Sequence, residues 1–211
     1  MRNYLLFLLT FFSLMSFAQQ PKGFTVVKDV TDFKKKFAQA SAAITTIKSD
    51  FTQEKNLSIL SEKIKSKGVF MFKKQNMARM EYNSPFKYLL IINKDKVFIK
   101  DEQKSNTFSS KSNKMFENIN KIIIDCVQGT ALENKNFSSV VYENDKQYLL
   151  ELTPKIKAFK DFFKRINIFI EKKDYSVNKF DMIEPSGDNT VITFLNKQFN
   201  TNVTDADFMV K

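Results

Sequence analysis

The chain has 211 residues, 43% of them hydrophobic, with 34 Lys plus Arg against 23 Asp plus Glu and a formal net charge of +11. Phe occurs 23 times and Met 8 times, beside a single Cys, no His, 4 Gly and 4 Pro. This composition excludes a disordered or fibrous chain, an internal disulfide, a Ser-His-Asp or Cys-His nucleophile and any His-ligated metal site.

The first residues read as an address. Met1, Arg2 and Asn3 are followed by the apolar run Tyr4 to Met15 and then by Ser16-Phe17-Ala18, with small residues where signal peptidase cuts. The apolar run is about a dozen residues, short of the ~20 that span a bilayer. Residues 1–18 are therefore expected to be a cleaved secretory signal, 19–28 a linker and 29–211 a single domain, since no repeat or break in composition follows. The expected compartment is the periplasm of a Gram-negative bacterium. Cys126 lies far from the cleavage point, so the chain is not itself acylated there.

Asp29 to Ile47 predicts a helix, with Val30, Phe33, Phe37, Ala40, Ile44 and Ile47 on one stripe and Asp29 or Thr31 as its cap. From Ser49 the period falls to two. Ile64, Ser66, Gly68, Phe70 and Phe72 alternate with Lys63, Lys65 and Lys67, and Ala78, Met80 and Tyr82 alternate with Met77, Arg79 and Glu81. Hairpins are predicted at 88–99 (turn at 93–96), 140–152, 165–183 (turn at 172–174) and around a turn at 185–189. A second helix interrupts these strands. Met115, Phe116, Ile119, Ile122, Ile123, Cys126 and Val127 recur at helical spacing and end near Gly129. No βαβ alternation occurs, so the fold class is mainly β with α, its sheet antiparallel.

Tyr88 to Ile92 and Ile166 to Ile170 are apolar on both faces. Two explanations stay open: a sheet covered on both sides, or an inner face that surrounds a ligand cavity walled by adaptable Met and Phe.

Ile47-Lys48-Ser49-Asp50-Phe51-Thr52-Gln53-Glu54-Lys55 resembles the helix-to-strand junction of LolA-type outer-membrane lipoprotein carriers. Gly68-Val-Phe-Met-Phe-Lys-Lys, followed by Met80-Glu-Tyr-Asn-Ser-Pro85, is similar to that family's Gly-to-Pro element. Leu152-Thr-Pro-Lys155, Ile166 to Ile170 and Val203 to Phe208 resemble later landmarks in the right order. The resemblance implies an unclosed antiparallel β-barrel (a curled sheet) whose mouth is covered by amphipathic helices acting as a lid. It also implies a non-enzymatic, monomeric shuttle without metal or cofactor. Its partners would be acylated lipoproteins, an inner-membrane lipoprotein-releasing ABC transporter and an outer-membrane acceptor. Alternation groups the wall candidates by strand, and the resemblance selects the inward set: Phe70, Phe72, Ala78, Met80, Tyr82, Tyr88, Leu90 and Ile92. Ile119, Ile122 and Ile123 are the expected lid residues. The family's Arg-Pro is Lys74-Gln75 here and its Trp is Met80, so Lys74 becomes the candidate lid latch without a guanidinium fork.

The strips Lys63, Lys65, Lys67, Lys73, Lys74 and Lys155, Lys157, Lys160, Lys164, Arg165 read either as solvated surface or as a docking face for anionic membrane or an acidic transporter. No nucleic-acid motif accompanies them. Asp205/Asp207 and Glu143/Asp145 read as solubilising pairs, and Cys126 as a small buried hydrophobe. A carrier or sensor of another lipid or glycolipid is the alternative on the same fold. A carboxylate-dependent hydrolase and a surface scaffold are the readings from other classes.

Overall fold

We describe a computed structural model of the chain over residues 20–59, 63–109 and 114–209, the side chains of 114–120 excepted. The expected signal segment, residues 1–18, lies outside the described residues.

Among the described residues twelve strands form one antiparallel sheet. In chain order they are β1 (Thr25–Val26), β2 (Thr46–Asn56), β3 (Lys63–Lys73), β4 (Met77–Ser84), β5 (Tyr88–Asn93), β6 (Lys96–Lys100), β7 (Ser105–Ser109), β8 (Phe137–Glu143), β9 (Gln147–Pro154), β10 (Arg165–Glu171), β11 (Val177–Ile183) and β12 (Asn189–Phe199). Their spatial order is β1-β8-β9-β10-β11-β12-β2-β3-β4-β5-β6-β7, so β1 and β7 are the edges and the barrel is not closed. Three helices accompany them: α1 (Thr31–Ala42), α2 (Lys114–Val127) and the short α3 (Lys157–Lys160).

The register places the large apolar side chains in rows across one face. One row runs Phe199, Ile47, Phe72, Ala78, Ile92, Val97, Phe108. Another runs Val141, Leu150, Ile168, Phe180, Ile192. Because strand side chains alternate with period two, each row faces one side only. Helix α1, through Phe33 and Phe37, and helix α2, through Ile122 and Cys126, pack with the second row.

Three expectations are corrected. Helix α1 stops at Ala42 rather than Ile47. The side-chain amide of Asn200 explains this: it donates to Ala43 O (3.0 Å) and accepts from Thr45 N (2.8 Å), satisfying the helix end while turning the chain into β2. At the other end Asp29 accepts from Thr31 N at 2.9 Å, one residue upstream of the cap position at Val30. Third, Asp205 and Asp207 do more than solubilise. Asp205 pairs with Lys73 (2.6 Å), and Asp207 accepts from the backbone N and hydroxyl of Thr204, capping the 3-10 turn Asp205–Phe208.

That turn resolves the two-sided strand. On β5, Ile92 faces the helices' side of the sheet, while Ile91 packs on the reverse side with Met77, Phe98, Val203 and Phe208. The C-terminal tail is thus a second cover. Arg79 reads as outer and is: its guanidinium pairs with Glu81 (2.8 Å) and donates to Asp207 O (3.1 Å), tying β4 to this tail. On β10, Ile166, Ile168 and Ile170 face inward and Phe169 meets Phe24 on the reverse side, ring centroids 6.1 Å apart. Among the described residues no helix is long and apolar enough to cross a membrane.

Candidate functional site

Two apolar clusters occupy the helix-covered face. One gathers residues of α1, α2, α3 and β8 to β11; the other gathers β2 to β6 around Phe51, Phe70, Phe72 and Ile92. They meet at Phe194 of β12, whose ring lies 5.2 Å from Phe70 and 6.1 Å from Phe180. A cavity of about 100 Å³ opens at this seam. The sheet supplies Ile47, Ser49, Phe70, Met80, Val177, Phe180, Met182, Ile192, Phe194, Lys197 and Phe199; the helices and connections supply Phe37, Ser41, Ile44, Ile122, Ile123, Cys126, Val127, Tyr175 and Ser176. Such a wall, nearly all carbon with a few polar atoms, is what a hydrocarbon ligand requires.

The sequence-predicted wall divides in two. Phe70 and Met80 line the cavity. Phe72, Ala78 and Ile92 lie one row away inside the solid β2–β6 cluster, with Tyr82 and Leu90 packed against it. Tyr88 is half-buried with its ring 5.5 Å from that of Tyr82. The hydroxyl of Tyr82 donates to Gln53 Oε1 at 2.9 Å, and burial first, with Tyr88 second, pushes its pKa up to about 12.

Of the expected lid residues, Ile122 and Ile123 line the cavity from α2. The side chain of Ile119 lies outside the described residues. Helix α2 ends in a Schellman arrangement: Gly129 N donates to Cys126 O (3.3 Å) and Thr130 N to Asp125 O (2.8 Å), with Gly129 at φ +73°. A Cβ on Gly129 would lie 2.7 Å from Ala38 Cα, so the absence of a side chain lets this end of α2 sit directly on α1. Cys126 is buried and burial pushes its thiol pKa up, which suits an inert wall atom.

Lys74 donates from Nζ to Ala42 O (2.5 Å), the final carbonyl of α1. It therefore holds α1 rather than α2. The neighbouring Gln75 has φ +79°, a conformation closed to proline, so the turn here departs from the Arg-Pro pattern in backbone as well as in lacking the guanidinium fork.

Most of the wall was not anticipated. Val177, Phe180, Met182, Ile192, Phe194 and Lys197 come from β11 and β12, where alternation was legible but gave no reason to prefer one face. Lys197 is reached only through a bulge. Leu195 pairs with Asp50 and Gln198 with Lys48, so Asn196 and Lys197 together oppose Ser49. Among the described residues no group of three His, Cys, Asp or Glu is placed to hold a metal ion.

The family described as "Outer membrane lipoprotein carrier protein LolA" matches residues 42–211. No curated protein matches the sequence. Among solved structures, the chain is similar to MucB (9% identity, TM-score 0.52, covering 88% of this chain and 64% of that one). It is also similar to an uncharacterized conserved protein from Thermus thermophilus (10%, TM-score 0.50, 85% and 93%). A LolA superfamily protein from Nitrosomonas europaea aligns at 7% identity, TM-score 0.44, over 84% and 97%. The extent of the family match and the open antiparallel barrel under its helices agree: this chain belongs to the LolA family of outer-membrane lipoprotein carrier proteins.

Proposed function

We propose that the protein is a periplasmic carrier that shelters the acyl chains of lipoproteins in the seam cavity and shuttles them from an inner-membrane ABC transporter to an outer-membrane acceptor. The supporting observation is the cavity itself. An acyl chain withdrawn from a membrane exposes hydrocarbon at about 0.8 kcal/mol per CH₂, so two or three chains need tens of kcal/mol of shelter. A continuous Phe, Ile, Val and Met wall beneath α2 offers it without a strong contact that would prevent release. In this reading Phe70, Met80, Ile122 and Ile123 touch the chains, and Phe72, Ala78, Tyr82, Tyr88, Leu90 and Ile92 form the firm bed beside them. Helix α2 is the displaceable cover and Lys74 keeps α1 seated. Exposed Lys63, Lys65 and Lys67 along β3 suit docking on an anionic membrane surface. No covalent step is required, and one copy of the chain is enough.

The test is purification of the protein from periplasm under native conditions and mass spectrometry of what it carries. A triacylated peptide is the expected result. Free phospholipid or glycolipid would move the cargo to the alternative reading, and an empty protein that also fails to take lipid from vesicles would refute the carrier.

A further inference from the structure

Among the described residues the cavity wall carries one cation, placed there by a local irregularity. Along β12, Ile192 and Phe194 face inward at even positions, yet Phe199 faces inward at an odd one. The change of parity is the bulge at Asn196-Lys197, with Asn196 at φ +53°. In an unbroken strand the side chain of Lys197 would face the other side of the sheet. The inserted residue turns it inward beside Ser49, at the end of the row that contains Phe70 and Met80. Bulges re-aim side chains at functional sites often enough for this displacement to need a purpose.

The surroundings of Lys197 are those of a poised donor. Its Nζ donates to Ser176 Oγ (2.6 Å) and to Val177 O (3.2 Å), which leaves the third of its three N–H groups. Ser176 is 4% exposed and its hydroxyl donates to Asp174 Oδ1 (2.6 Å), so that carboxylate is engaged by the serine. Burial is the largest influence on the lysine pKa and lowers it, Asp174 and Glu171 draw it upward at a distance, and Lys173 lowers it a little further; no carboxylate among the described residues pairs with its ammonium. The balance holds its pKa below the usual lysine value. A half-buried ammonium without a counter-ion, at the rim of an apolar cavity, is stabilised by an oxygen acceptor brought in by a ligand.

We infer that Lys197 is the head-group contact of the cavity. Its ammonium takes the acyl oxygen of an amphiphile, the ester carbonyl of a diacylglyceryl group or a free carboxylate, while the hydrocarbon lies along Phe194, Phe70 and Ile122. This rests on the carrier reading and adds polarity to it: the chain enters tail first and its acyl head stops at the β11–β12 rim.

The experiment is calorimetric titration of the lipid-stripped protein in 0.15 M salt, which limits long-range attraction to about 8 Å. The probes are laurate, methyl laurate and dodecyltrimethylammonium, with the wild type, Lys197→Met and Lys197→Gln. Lys197→Gln keeps an amide donor for Ser176 and Val177, so the rim stays folded. Wild-type protein is expected to bind laurate about tenfold or more tightly than the ammonium probe, the scale of one charge-assisted hydrogen bond. Both variants are expected to bring that ratio close to one. A fall in methyl laurate affinity in both variants assigns the contact to an ester carbonyl; an unchanged affinity for the ester assigns it to a free carboxylate. A laurate preference that survives both substitutions, or is missing from the wild type, overturns the assignment. Failure of the wild type to bind any of the three probes would instead refute the carrier reading beneath it.

Discussion

Replacing Gly129 by Ala tests whether α2 is seated on α1 through this one residue. Two costs add. The residue sits at φ +73°, where an L side chain costs about 1–2 kcal/mol. The new Cβ would also lie 2.7 Å from Ala38 Cα and 2.9 Å from Phe37 O, both backbone atoms of α1, and overpacking of this kind costs about 1–3 kcal/mol. The total is about 2–5 kcal/mol, and at about 2–4 °C per kcal/mol for a chain of this size the melting temperature should fall by about 4–20 °C. Gly187 provides an internal control. Its φ is +92°, at least as unfavourable, but its Cβ would meet only Ser58 Cβ at 3.8 Å, an ordinary contact. Gly187→Ala should therefore lose only the backbone cost, about 1–2 kcal/mol. Scanning calorimetry of both variants at one pH makes the comparison. A Gly129→Ala loss no larger than that of Gly187→Ala would refute the close seating of α2 on α1.

Other expectations follow from the same geometry. Phe194→Ala, at the cavity wall, should cost clearly less than Phe51→Ala in the solid cluster, where removal of a buried Phe costs about 3–5 kcal/mol; urea unfolding compares them. Met80→Glu places a carboxylate in the wall and should abolish retention of co-purified lipid by mass spectrometry while the far-ultraviolet circular dichroism is kept. Lys74→Met removes the bond to Ala42 O and should lower stability by about 1 kcal/mol, with Lys74→Arg restoring it, as read by thermal melts. Tyr82 has a folded-state pKa of about 12 against 10.0 for the unfolded chain, so its contribution is complete below pH 10 and is lost as pH rises towards 12. The melting temperature should fall across that window, and Tyr82→Phe should remove part of the fall.

Legibility in the sequence tracked the range of the determining interaction. The strands β4 to β6 and β8 to β11, and the helix α2, were readable because period and turn residues lie within a few positions of one another. The end of α1 was not: Ile44 and Ile47 continue its stripe, and the group that stops the helix, Asn200, is 157 residues from the carbonyl it satisfies. The double-sided strand Tyr88 to Ile92 was legible as a question only. Local pattern cannot distinguish a second cover from a cavity, and here the cover is the tail Val203 to Phe208. For the site, alternation grouped Phe70 with Phe72 and Met80 with Ala78 and Tyr82, the resemblance chose their inward face, and helical spacing grouped Ile122 and Ile123, but none of these indicates which strands lie opposite. That depends on β12 pairing with β2, more than 130 residues away in sequence. Lys197 was hidden for a sharper reason, since simple alternation assigns it to the wrong face.

The position of the cavity follows from the way two separate cores share one sheet. A single core under both helices would have closed around its own side chains, as close packing requires. Here the α1–α2–α3 cluster and the β2–β6 cluster each pack against their own rows, and among the described residues Phe194 is the one partly buried residue common to both. Space is left at the junction because neither cluster can extend across it without moving α2, whose C-terminal end is fixed on α1 at Gly129. The helix is joined to the sheet through side chains rather than a backbone ladder, so displacing it breaks apolar contacts that an entering hydrocarbon can replace nearly one for one. On the proposed carrier reading this is the energetic condition for a reversible cover: a filled state that buries apolar area similar to the empty one would differ from it by a free energy small enough for a partner to tip.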